Sequence, residues 1–256
     1  MSDLFSLEGK TAVILGGNST LARAITEGFV KYGAKIASVV MSPELAPEVE
    51  EEVRALGGEI KSFFADVTDL ESVQKAADDI QAWAGTIDVL LYAPGVNSST
   101  PFLELDMEEW DKIMAVNLRG CVAACQIFAK KMIEQGTGGS IINISSVSSG
   151  PPLSKVFTYS ASKAAINNIT QYLARELAPY NIRVNAIIPG FFPAEQNRRI
   201  LTEERVADIM RHTPMKRFGE PRELQGVCLW LASEKASSYV TGSLVRVDGG
   251  FGAMTI

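Results

Sequence analysis

The stretch Thr11-Ala12-Val13-Ile14-Leu15-Gly16-Gly17-Asn18-Ser19-Thr20-Leu21 decides the fold. Its first five residues form a β-rich apolar run bounded by Gly9-Lys10 and Gly16-Gly17, the pattern of a buried strand. Beyond the glycines, Leu21, Ala24, Ile25 and Phe29 recur at helical spacing, so residues 19–31 read as an amphipathic helix. Strand, glycine turn and helix thus follow one another without a linker.

The same alternation recurs along the whole chain. Strands are predicted at 35–41, 59–65, 87–92, 140–145, 182–188 and 244–247. Between them lie helical patterns at 43–56, 70–83, 107–135, the segment around Tyr159 up to Pro179, 202–211 and 221–232. About seven strands joined by short links to helices predict an α/β protein: a single Rossmann-type doubly wound parallel sheet with helices on both faces and right-handed crossovers. No repeat, low-complexity tract or linker interrupts it, so residues 1–256 are expected to form one domain, with a mixed polar substrate loop at about 190–219.

The composition, 46% hydrophobic and 21% charged over 256 residues, is that of an ordinary globular chain. A formal charge of −6 disfavours nucleic acid and anionic membrane as partners. Cys121, Cys125 and Cys228 have neither disulfide-framework nor metal-ligand spacing, so no metal is expected. The N-terminal residues lack a basic region with an apolar core, and no run is expected to reach a membrane span; the cytoplasm is the expected location.

Sheets of this kind bind ligands beyond the carboxyl ends of their strands. Gly16, Asp66, Ala93 to Gly95, Ser146 and Pro189 all fall at such ends and converge on one crevice. The amides of the first helix N-terminus, after Gly16, suit a nucleotide pyrophosphate. The second strand ends Val39-Val40-Met41-Ser42, without the carboxylate that would hold the ribose of NAD or the arginine that would hold the 2′-phosphate of NADP. The choice between NAD and NADP is open at this level. Tyr159 and Lys163, four apart, share one face of a helix, where an ammonium is expected to lower the phenol pKa and suit it to proton transfer near neutral pH. Ser146 ends the apolar run thirteen residues upstream.

From Lys10 to Phe251 the chain resembles a short-chain dehydrogenase/reductase. The resemblance is carried by Asp66-Val67, Gly95, Val116-Asn117-Leu118, Ser146 with Tyr159-x-x-x-Lys163, Ile182-Arg183-Val184-Asn185, Pro189-Gly190 and Val247-Asp248-Gly249-Gly250. It implies an NAD(P)-dependent oxidoreductase acting on CH–OH groups, with Tyr159 as general acid/base and Ser146 positioning the reacting oxygen. Lys163 would hold the nicotinamide ribose, and Asn117 would order a water leading to Lys163. Coenzyme contacts are implied for Gly16, Asn18, Ser19, Thr20, Leu21, Asp66, Val67, Ala93, Gly95, Pro189, Gly190 and Phe191, with Ile188 beside the nicotinamide.

Two departures stand out. The glycine turn keeps one glycine of three, with Thr20 and Ala22 at the other two places, and the fourth strand ends Tyr92-Ala93-Pro94-Gly95 where the family has Asn-Asn-Ala-Gly. Added β-carbons are expected to crowd a pyrophosphate, and Pro94 removes a donor. Lys155, Phe192, Glu195, Gln196, Asn197 and Arg198, with Arg199, are candidate substrate residues, aromatic and polar groups that suit a polyhydroxylated carboxylate. Together with residues 152–156 and 213–219 this stretch is similar to the D-mannonate oxidoreductase (fructuronate reductase) branch, which implies a sugar acid of the mannonate, fructuronate or gluconate type. The alternatives are a 3-oxoacyl-[acyl-carrier-protein] reductase and a non-catalytic binding or regulatory protein of the same fold. The family pairs helices like those at 107–135 and 159–179 across two-fold axes, implying a homodimer or homotetramer.

Overall fold

Five consecutive buried residues make Thr11–Leu15 a central strand, β1, with Lys35–Val40 (β2) on one side and Val89–Tyr92 (β4) on the other. In the computed structural model, which describes residues 3–192 and 202–253, Ile60–Phe64 (β3), Gly139–Ile144 (β5), Ile182–Pro189 (β6) and Leu244–Val247 (β7) complete one sheet. All pairs are parallel and the order is β3-β2-β1-β4-β5-β6-β7. The direction of winding reverses between β1 and β4, which opens a ligand crevice above their carboxyl ends.

Alternate strand residues face opposite sides, so each face builds its own core. Val13, Leu15, Leu90, Tyr92 and Ile141 pack beneath α3 (Leu70–Ala84), α5 (Gly120–Gln135) and α6 (Phe157–Leu177). Ile14, Ile36, Leu91, Ile142 and Ile187 pack beneath α1 (Thr20–Lys31), α2 (Pro47–Ala55) and the helix Gln225–Ala232. The edge strands β3 and β7 are only partly buried. Asp69 caps α3 by accepting from the Glu71 and Ser72 amides, and α5 stops at Gly136 in the left-handed region.

Two helical expectations are refined. Residues 43–56 split into a 3-10 turn at Pro43–Leu45 and α2, because Pro47 suits a first helical position and starts a new helix. The helix predicted at 107–135 consists of α4 (Met107–Met114), a π turn at Ala115–Arg119 and α5. This 29-residue helix is long and apolar enough to cross a membrane, which corrects the expectation that no run reaches that length. More than half of its apolar window is buried inside the fold, against the sheet and the neighbouring helices, and core packing accounts for its apolarity.

Candidate active site

The amino-terminal turns of α6 carry Tyr159 and Lys163. Lys163 is 2% exposed, and its Nζ donates to the carbonyl of Ile144, the last residue of β5, at 2.8 Å. Ser145 Oγ in turn donates to the Lys163 carbonyl at 3.2 Å. Strand end and helix are thereby cross-linked beside Ser146. That serine caps the 3-10 turn Val147–Ser149: its Oγ accepts from Ser148 N at 3.2 Å and Ser148 Oγ at 3.1 Å. The same hydroxyl lies close enough to the Tyr159 phenol to lower its pKa. Hydroxyl, phenol and ammonium meet at the rim of the sheet, with Lys163 Nζ 5.5 Å from the Tyr159 ring centroid.

The electrostatics correct one expectation. Burial pushes the Tyr159 phenol above its ordinary pKa, and the Ser146 hydroxyl pulls it only part of the way back. Lys163 does not lower it here, because its ammonium sits at the ring face and is committed to the Ile144 carbonyl. Burial acts on the lysine too, bringing its pKa down to about 8.

Asn117 lies in the π turn with no exposed surface. Its Oδ1 accepts from Val96 N at 2.8 Å, while Nδ2 donates to Val96 O at 3.0 Å and to Ser162 Oγ at 3.0 Å. Ser162 Oγ donates to the Tyr159 carbonyl at 2.7 Å. The amide therefore ties the loop after β4 to the helix bearing the phenol. Both amide protons are spent, and only the second lone pair of Oδ1 is left to receive a water.

At the first βα turn, Gly16 adopts φ +71°, a conformation that favours glycine. The Ser19 side chain accepts from Ala22 N, and the first-turn amides of Thr20 and Leu21 have no helical partner. These donors fit a pyrophosphate. The expected crowding is halved: Ala22 is buried in the core beneath α1 and keeps its β-carbon out of the cleft, whereas Thr20 is exposed at the turn. Pro94 packs on Gly16, where an added β-carbon would lie 3.1 Å from the proline nitrogen. A β-carbon on exposed Gly95 would lie 3.5 Å from Lys163 Nζ, so the two ends of the crevice are close. Asn18 borders the turn, Val67 and Ala93 are half-buried, and the Asp66 carboxylate accepts from Thr68 N and Oγ1 at 2.8 Å each.

On the other side, buried Ile188 and Pro189 end β6, followed by Gly190 and Phe191, whose ring stacks edge-on to Phe251 at 5.2 Å. Phe192 is 8% exposed and belongs to the core beneath α1, where its ring fills the space next to Gly219. Lys155 is exposed in the loop before α6, at φ +66°. Glu195, Gln196, Asn197, Arg198 and Arg199 lie outside the described residues.

Two contributors escaped the sequence reading. Tyr92 Oη donates to the Val116 carbonyl in the π turn at 2.6 Å, and Ser162 relays Asn117 to Tyr159. Tyr92 reads as the last apolar residue of a buried strand, with no local sign of its partner. Ser162 sits inside Tyr-Ser-Ala-Ser-Lys, where its position beside the lysine was the available signal.

A family profile described as enoyl-(acyl carrier protein) reductase matches residues 16–252. The chain is 36% identical to 2-dehydro-3-deoxy-D-gluconate 5-dehydrogenase of Escherichia coli, over 96% of this chain and 97% of that one. A gluconate 5-dehydrogenase from Burkholderia cenocepacia, solved with NADP and tartrate, superposes with a TM-score of 0.94 at 31% identity, covering 99% of both chains. A Haemophilus influenza protein solved with bound NAD, under the provisional name D-mannonate oxidoreductase, gives a TM-score of 0.91 at 33% identity, over 98% of this chain and 97% of that one.

Proposed function

The chain belongs to the short-chain dehydrogenase/reductase family, an NAD(P)-dependent oxidoreductase fold, and from that premise we propose that it interconverts a secondary alcohol and a ketone on a sugar acid. The observation that carries this reading is the convergence of Ser146, Tyr159 and Lys163 at the carboxyl edge of β5, beside the first-helix amides that fit a pyrophosphate. NAD or NADP, when bound, supplies the hydride acceptor or donor.

The residues around it divide the remaining work. Tyr159 moves the proton at the substrate oxygen. Its raised pKa keeps the phenol protonated at neutral pH, so it is ready as the acid for ketone reduction. Ser146 lies beside that phenol and orients the same oxygen. Lys163, whose ammonium rests on Ile144 O, would hold the nicotinamide ribose. Asn117 acts through Ser162 to fix the turn of α6 that carries Tyr159. Gly16, Ser19, Thr20 and Leu21 would hold the coenzyme phosphates, Asp66 and Val67 its adenine end, and Pro189 to Phe191 its nicotinamide end.

We assign the substrate-binding role to the segment 190–219 of a single domain, and we place the enzyme in the cytoplasm as a homodimer or homotetramer. The sugar-acid class rests on the similarity to the gluconate and deoxygluconate dehydrogenases. A turnover screen over aldonates and ketouronates with both coenzymes tests it. Turnover of at least one acid, reduced about 100-fold or more in Tyr159→Phe, is expected. Equal rates in the variant, or no turnover of any acid, refute the reading.

A further inference from the structure

Beside the carboxyl ends of β6 and β7 lies a cavity of about 410 Å³, lined by Phe191, Phe192, Met215, Arg217, Arg246 and Asp248 among others. The volume suits a small polar molecule. Its two arginines differ. Arg217 is closed off by Glu223, to which it donates through both terminal nitrogens at 2.8 and 2.7 Å. Arg246 makes no hydrogen bond or ion pair among the described residues. The nearby Asp248 carboxylate is occupied by the Gly250 and Gly252 amides at 2.9 Å each.

Arg246 is nonetheless placed. Val245 and Val247, partly buried, pack against the core beneath α1, so the alternation of the strand sends Arg246, which is exposed, to the opposite face of the sheet, the face on which α6 carries Tyr159 and Lys163. It stands in register with Ile188, at the end of β6, two strands and so about 10 Å across the sheet from β5, which leads to Ser146. Its guanidinium lies against Gly252, where a β-carbon would overlap it, and Nη2 is 3.9 Å from a β-carbon built on Gly150, in the turn that follows Ser146. The side chain thus bridges from the edge strand toward the catalytic serine turn and presents a free planar fork beside the cavity.

We infer that Arg246 binds the carboxylate of the substrate and sets the preference for acids over neutral polyols. The assignment rests on the sugar-acid reading above, and it makes Arg246 a specificity-determining residue supplied by the last strand rather than by the loop after β6. A guanidinium with unspent donors matches a carboxylate bidentately, which a lysine cannot do.

The test takes the acid with the highest kcat/KM in the screen and the neutral polyol of the same chain length. In Arg246→Gln, KM for the acid is expected to rise about tenfold or more, the loss of one charge-assisted contact. KM for the polyol and the Kd of the coenzyme, read by fluorescence, should stay within about twofold on the same scale. Arg246→Lys should recover part of the loss. An unchanged KM for the acid overturns the assignment while leaving the sugar-acid reading intact. Equal losses on acid and polyol, or loss of coenzyme binding in both variants, show a structural residue and overturn it as well. If the wild type turns over no acid, the underlying reading fails first, and the assignment falls with it.

Discussion

Replacing Lys163 by methionine separates what the ammonium costs the fold from what it does for the chemistry. The side chain is 2% exposed, and its pKa falls from 10.5 to about 8 because burial disfavours the charged form. A folded-state pKa below the unfolded one means that the unfolded chain binds the proton more tightly. Charging this group therefore destabilises the fold by about 3 kcal/mol at pH 7, and the penalty fades as pH rises from about 8 toward 10.5. By pH 10 about 1 kcal/mol of it is left on the same relation. Methionine fills a similar volume with no charge, and it forfeits the hydrogen bond to Ile144 O, worth roughly 1.5–3 kcal/mol. At pH 7 the two effects nearly cancel, so Lys163→Met should unfold in urea within about 2 kcal/mol of the wild type while losing its activity. The pH dependence is the sharper signature. Wild-type stability should gain about 2.5 kcal/mol on the variant between pH 7 and pH 10, measured as the change in their difference in unfolding free energy. A difference that stays constant over that range would refute the buried-ammonium reasoning.

Other outcomes follow from the same contacts. With the Tyr159 phenol raised by burial, alcohol oxidation should accelerate with increasing pH above neutrality and ketone reduction should decline; a pH-independent ratio of the two rates contradicts the assignment. NADH should bind about tenfold or more tightly than NADPH. β2 ends without an arginine for a 2′-phosphate, and Arg23, one helical turn into α1, is already held by Glu52 at 2.9 Å and Glu48 at 2.8 Å. Equal dissociation constants by fluorescence titration would count against that. Tyr92→Phe should cost about 1–3 kcal/mol in urea unfolding, because the Val116 carbonyl loses its 2.6 Å donor in the π turn.

The layout of the chain was legible because periodicity is a local property. The run at β1, the glycine turn and the helical spacing of α1 are written within a few residues of one another, and so are the other strand and helix units. The spacing of Tyr159 and Lys163 is equally local, since four residues on a helix bring two side chains to one face. The sign of the tyrosine shift was not legible, for it depends on how deeply the phenol is buried and on which atom the ammonium already touches. The fate of Ala22 was hidden in the same way: its β-carbon is harmless because the helix turns it into the core.

By itself, the amino-acid order determined a parallel, doubly wound sheet, the strand ends where ligands bind, and the residue types able to move a proton there. Only the tertiary structure decided which groups are free to act. Asn117 is consumed by Val96 and Ser162, Arg217 by Glu223, and Arg23 by two glutamates, while Arg246 has no partner among the described residues. These pairings join residues from 6 to 45 positions apart. Their partners are chosen by the packing of helices on the sheet, a long-range outcome that no local pattern of side chains encodes.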